Sequence, residues 1–326
     1  MDGSARKPGG LQRIISPDHN GEWTEKVTKE DVERGTLQEN ERRFTQANGT
    51  PMTISPLSDE FGKLGNGPQA DNLLRGLYTS HGGIDEKTER ILQHLKTKED
   101  MIPVVQPRPI SREELAEGWK RVKERTSSSP SGLHIGHWKA GCDDPGIHWI
   151  NTILINIPYM SGYSPKRWQI GLNVMLEKIS GNCRVDKLRT ILLYEADFNM
   201  MNKYIGKTMM KYAEEHDLIS TVQYGGRKRR AANGHALNKR LFFDKLRQTR
   251  KKGAVCSCDL KSCYDRIVHA FAALAMRRAG VAETATVSMF QTIQNLVHKV
   301  RTAFGDCDES FGGEWWRELE TLLGVG

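Results

Sequence analysis

The residues best suited to chemistry lie in one short stretch, Val255-Cys-Ser-Cys-Asp259-Leu-Lys-Ser-Cys-Tyr264-Asp265-Arg-Ile-Val-His269. Small and branched apolar residues run from Ala254 to Leu260, which reads as a buried central strand. Such a strand would deliver the Asp259 carboxylate at its C-terminal end. A charge there is costly unless it is paired or holds a cation. A carboxylate is the hard oxygen donor that Mg²⁺ prefers. The same aspartate would also serve as the N-cap of a helix that follows, and both readings stand at this point.

Two further clusters contain metal-ligating types. Cys256-x-Cys258 has the form of a metal half-site, but no second pair follows at zinc-finger spacing. It reads instead as small core residues on the strand. His134-x-x-His137 with Cys142 lacks a fourth ligand in register and is read as structural. With Cys183, Cys263 and Cys307 the cysteines number six. The start, MDGSARKPGG, has no apolar signal segment, and no run reaches the roughly 20 apolar residues that span a bilayer. These features imply an intracellular, reducing setting with free thiols, nuclear or cytoplasmic and not secreted, and no membrane as partner.

The net charge of +8 and pI near 9.1 favour a polyanion such as nucleic acid or an anionic surface. The charge is concentrated. Between 227 and 252 lie Arg227, Lys228, Arg229, Arg230, Lys239, Arg240, Lys245, Arg247, Arg250, Lys251 and Lys252, opposed by Asp244 alone. A run this one-sided points to a backbone-tracking surface rather than a merely solvated face.

The elements that must position these groups are largely helical, which makes the fold class helix-rich α+β. Apolar residues are 37% of the 326 and mean hydropathy is −0.58, so part of the chain is expected to lie outside the core. Residues 1–70 are polar and rich in Gly and Pro, and read as largely disordered. Residues 71–109 read as two short helices split at Gly82-Gly83 and a Pro-rich connector from Ile102 to Pro109. Ser111 with Glu114 forms a capping box for a helix to about Arg125. A loop follows at 126–132, then a buried helix from Gly146 to Pro158. Ile170–Ile179 and Leu188–Tyr194 read as a hairpin turning at Ser180-Gly181-Asn182. Asp197–Glu215 reads as a helix with Met200, Met201, Tyr204, Ile205 and Met209 as its core stripe. A basic helix spans about 231–251, and helices are expected at 263–279, 283–297 and 314–323.

The Asp259 segment resembles motif A of the reverse transcriptase palm: an apolar strand, Asp, a few residues, an aromatic, then Asp. Other segments resemble the same family in the same order. Ser127-Ser-Ser-Pro-Ser-Gly132-Leu-His-Ile-Gly136 resembles the loop that opens the fingers of non-LTR retrotransposon and group II-like enzymes. Tyr163-Ser-Pro165-Lys-Arg-Trp168 followed by Val174–Lys178 resembles the next block. Leu188-Arg189-Thr-Ile-Leu-Leu193 resembles the fingers Arg-Pro-Ile motif, and Gln223-Tyr-Gly-Gly226 the Gln-x-Gly-Phe segment. Thr190, Asn199 and Gly226 depart from that pattern, where Pro, Lys and Phe are usual.

The resemblance covers residues 110–326 and implies the fingers and partial palm of a right-hand polymerase. It implies RNA-directed DNA polymerase chemistry, in which Asp259 and the Leu260 carbonyl would hold Mg²⁺. Lys178 and Arg189 would meet a deoxynucleotide triphosphate. Tyr264 would exclude a ribose 2′-hydroxyl, with core packing as its alternative role. The partners implied are an RNA template and a DNA primer. Leu323-Gly-Val-Gly326 looks like the first residues of motif B, and Asp306-Cys-Asp308 lacks the paired-aspartate form of motif C. With both motifs absent the chain alone is expected to be inactive. The alternative is a non-catalytic nucleic-acid-binding remnant of the same fold.

Overall fold

The computed structural model describes residues 10–80, 82–97, 107–124, 129–260 and 263–312. The fold is mixed α+β. The expected helix at 314–323, the segment 323–326, the connector at 102–106, loop residues 126–128 and Lys261-Ser262 lie outside the described residues.

The hairpin forms as expected. β3 (Ile170–Glu177) pairs antiparallel with β4 (Leu188–Leu193), with Leu176 opposite Arg189 and Met175 opposite Thr190. The other edge of β3 is taken by a strand that the sequence pattern does not announce, β5 (Val297–Thr302), which runs parallel to β3 with Ile170 opposite Val297. Short strands β6 (Gly305–Asp306) and β7 (Phe311–Gly312) both add to β5. Val297 therefore begins a strand rather than ending a helix. Alternate burial of His298, Val300 and Thr302 shows the period of two that a half-buried strand requires.

The strand expected at 254–260 does not form. Both edges of β3 are occupied, and residues 251–260 lie outside the sheet, exposed and without regular structure. Small residues such as Ala254, Cys256 and Ser257 bring little apolar area to compete for a place in a core.

The helical layer has a Trp-rich core. α5 (Arg112–Lys120) starts at the Ser111 capping box, complete in both directions. α6 (Ile135–Gly141), α7 (Pro145–Ser161), α8 (Ala196–Glu215) and α11 (Glu283–Gln294) close around Trp119, Trp138, Trp168, Phe198, Met201 and Ile205. Trp119 and Trp138 stack with ring centroids 5.3 Å apart. The methionine stripe of α8 faces this core as expected. α7 is buried on one side only. His148, Thr152, Ile155 and Tyr159 point inward, while Trp149, Ile150, Ile153, Leu154 and Ile157 are exposed.

Residues 10–70 are folded where disorder was expected. β1 (Ile14–Pro17) pairs with β2 (Trp23–Lys26), and α1 (Lys29–Phe44) and α2 (Leu57–Phe61) follow. α1 carries few large apolar residues, so its order comes from docking. Val32 packs with Met175, Val185 and Leu188 of the hairpin, and Leu37 with Val300 and Cys307. Arg43 donates to the carbonyls of Val185 (2.8 Å) and Leu188 (3.1 Å). α3 (Ala70–Arg75) and α4 (Glu86–Gln93), separated by Gly82-Gly83, pack with α2 against α10 (His269–Arg278). The helix expected at 263–279 is thus split. Residues 264–266 form a 3-10 turn, and α10 begins only after Ile267-Val268.

Candidate nucleic-acid interface

α9 (Ala232–Gln248) has no buried residue. Its charges therefore face solvent as a set. Lys239, Arg240, Lys245 and Arg247 project from it, and Arg250, Lys251 and Lys252 follow, all exposed. Asp244 pairs with Arg247 at 3.1 Å and lies 4.0 Å from Arg240. A shallow groove lined by Ala236, Lys239, Arg240, Phe243, Asp244 and Arg247 runs along one side. Exposed Leu237, Leu241, Phe242 and Phe243 interleave with these cations.

The preceding loop is tied to the helix through an aromatic. The Tyr224 hydroxyl accepts from Asn238 Nδ2 at 2.6 Å, its ring lies 5.3 Å from His235, and the Arg230 guanidinium sits over it at 5.3 Å. Lys228 and Arg229 are exposed, and Arg229 takes φ = 59°. Arg227 differs from its neighbours. It bonds Glu214 (3.2 Å) and the Ser220 carbonyl (2.9 Å) and is largely covered. It anchors the loop to α8 rather than joining the exposed cationic set.

Lys178, just past the end of β3, and Arg189, on β4 opposite Leu176, both lie toward the turn end of the hairpin and are exposed. Asp259 does not join them in the sheet. It lies in the irregular stretch 251–260. Leu260 is 73% exposed and Tyr264 87% exposed, so Tyr264 packs no core. Asp259 does not cap a helix either, since α10 starts ten residues later with Val268 as its cap. Asp306 is engaged by Arg301 at 2.5 and 2.9 Å beside the β5–β6 turn. Among the described residues no group of three or more His, Cys, Asp or Glu side chains could hold a metal ion. The donor set around Asp259 therefore does not fit the Mg²⁺ site that the resemblance implies.

The cysteine and histidine clusters resolve differently from one another. His137 Nδ1 accepts from the His134 backbone N–H at 3.0 Å, and Cys142 donates to the Trp138 carbonyl at 3.3 Å, so both serve the ends of α6. Cys256 and Cys258, expected in the core, are exposed.

One buried polar site is almost silent in the sequence. Glu195 and Asp197, at the start of α8, are almost fully buried and share Arg167. Glu195 also accepts from the Ser131 N–H and hydroxyl, both at 2.8 Å. The Trp168 indole donates to Asp197 at 2.9 Å, and the Ala196 N–H to Ser129 Oγ at 2.7 Å. Burial acts to lower the Arg167 pKa, but hydrogen bonds and the charges of Asp197 and Glu195 outweigh it and hold it above its ordinary value. This network pins the loop at Ser129 and Ser131 to the start of α8 and to the turn before β3 that carries Arg167 and Trp168. Its only sequence trace is two acids directly after an apolar strand. No protein-family model matches the chain, and no curated protein matches it.

Proposed function

We propose that the chain is a nucleic-acid-binding protein of the reverse transcriptase fingers and partial-palm type. In this reading it holds the phosphate backbone of an RNA template, or of template with DNA primer, through the exposed cations of the 228–252 segment, and it does not transfer nucleotides by itself. The observation that carries the reading is α9, a basic helix with no buried side chain that the rest of the described chain leaves open to a polyanion. Each phosphate neutralised releases counterions, so affinity is set by charge and salt rather than by sequence.

The β3–β4 hairpin, with Lys178 and Arg189 at one end, supports the fingers resemblance, since an anionic triphosphate would meet two cations there. Among the described residues no group of carboxylates gathers with Asp259 to hold a metal ion. The test is titration of labelled single-stranded RNA and of an RNA–DNA duplex at several salt concentrations, beside primer extension with deoxynucleotides and Mg²⁺. Binding whose logarithm falls linearly with log salt, without extension, is expected. No binding at low salt would overturn the nucleic-acid reading. Extension abolished by Asp259→Ala would overturn the inactive one.

A further inference from the structure

We propose that Cys256 and Cys258 form a reversible dithiol–disulfide site, oxidised by a small-molecule disulfide of the glutathione class. Their sulfurs lie 3.7 Å apart, so the two side chains fall on the same side of the backbone. A disulfide bond is about 2.05 Å long, and the gap closes by side-chain rotation and a small backbone adjustment. The surroundings permit that adjustment. Residues 251–260 belong to no helix or strand, and every one of them is exposed. Both thiols are therefore open to an incoming disulfide, which exchange chemistry requires. Cys183 and Cys307, by contrast, are buried and closed to such a reagent.

The chemistry balances without a further reactant. The Cys256 thiolate attacks one sulfur of the oxidised disulfide, forming a mixed disulfide and expelling one thiolate, which takes up the proton Cys256 lost. The Cys258 thiolate then attacks Cys256 Sγ, forming the 256–258 bond and expelling the second thiolate, which is protonated in turn. The protein dithiol loses two electrons and two protons, and one small disulfide becomes two thiols. The order of attack is interchangeable between the two cysteines. The ring closes directly before Asp259, so oxidation constrains the backbone that carries this carboxylate.

The experiment uses the full chain equilibrated in mixtures of reduced and oxidised glutathione, quenched by alkylation and digested with trypsin. Cleavage after Lys252 and Lys261 leaves the peptide Gly253–Lys261, which contains both cysteines and no other. The expected result is loss of two hydrogens within that peptide, without a glutathione adduct, reversed by excess reduced glutathione. Cys258→Ser and Cys256→Ser should each abolish the loss and leave a single glutathione adduct instead; both positions are exposed, so the fold tolerates the change. A peptide that stays reduced, that carries two glutathiones, or that is oxidised only as a cross-link to Cys263 would overturn the proposal. The readout is independent of nucleic-acid binding.

Discussion

The Thr190 hydroxyl donates to Asn40 Oδ1 at 2.9 Å, across 150 residues of sequence, and accepts from Arg43 Nη1 at 3.2 Å. Thr190 stands where the fingers motif it resembles has proline. Here the hydroxyl is used to seat α1 on the back of the hairpin, opposite the face that carries Arg189. Thr190→Val keeps the shape and removes both bonds, and it leaves the fully buried Asn40 amide without this partner. The expected cost is about 1–3 kcal/mol, read as a lowered urea midpoint at unchanged slope.

His298 gives the fold a pH dependence. Its ring stacks against both Phe44 and Phe311, with centroids 4.8 and 4.7 Å away, and faces Asn173 Nδ2 at 3.3 Å. Burial pushes its pKa down from 6.5 to about 4. The unfolded chain therefore binds the extra proton first. Stability is fully present above pH 6.5 and is lost as pH falls from there toward 4, by on the order of 3 kcal/mol. Denaturation midpoints at pH 7 and pH 5 should differ, and His298→Phe should flatten that difference.

Arg167→Ala leaves Glu195 and Asp197 buried without their shared cation. Stranding buried carboxylates is more costly than losing an exposed pair. Because the guanidinium itself is partly exposed, a loss of about 3 kcal/mol is expected rather than more. Chemical denaturation at pH 7 measures it. Lys replacement, which keeps charge but not the forked geometry, should recover only part.

For the basic segment, Lys239→Ala and Lys245→Ala should each weaken RNA binding across all sequences alike. Each phosphate left without its cation lowers the salt slope by about 1. Folding stability should stay within about 0.5 kcal/mol, since both side chains are exposed. Arg227→Ala should do the reverse, loosening the loop by removing its bonds to Glu214 and Ser220.

Asp259→Asn should leave the thermal midpoint unchanged, because the carboxylate is exposed and outside the sheet. A marked rise on neutralising it would mean that Asp259 is a buried, uncompensated charge, as a core strand would have required.

What the sequence alone determined was what short-range physics controls. The Ser111–Glu114 capping box, the α8 methionine stripe, the β3–β4 hairpin and the basic α9 are each written within a few turns or one turn-and-return of chain. Period, cap and turn residues suffice for these. Tertiary structure decided the rest. α1 has too few apolar residues to announce a helix, and is ordered by Arg43, Asn40 and Val32 meeting the hairpin. β5 lies parallel beside β3, while the 254–260 run, expected to be a central strand, stays outside the sheet. Strand membership is a competition for a hydrogen-bonding edge, settled between residues more than 100 positions apart, and no local pattern records which candidate wins. Asp259 lies outside the sheet, and Cys256 and Cys258 lie in the open.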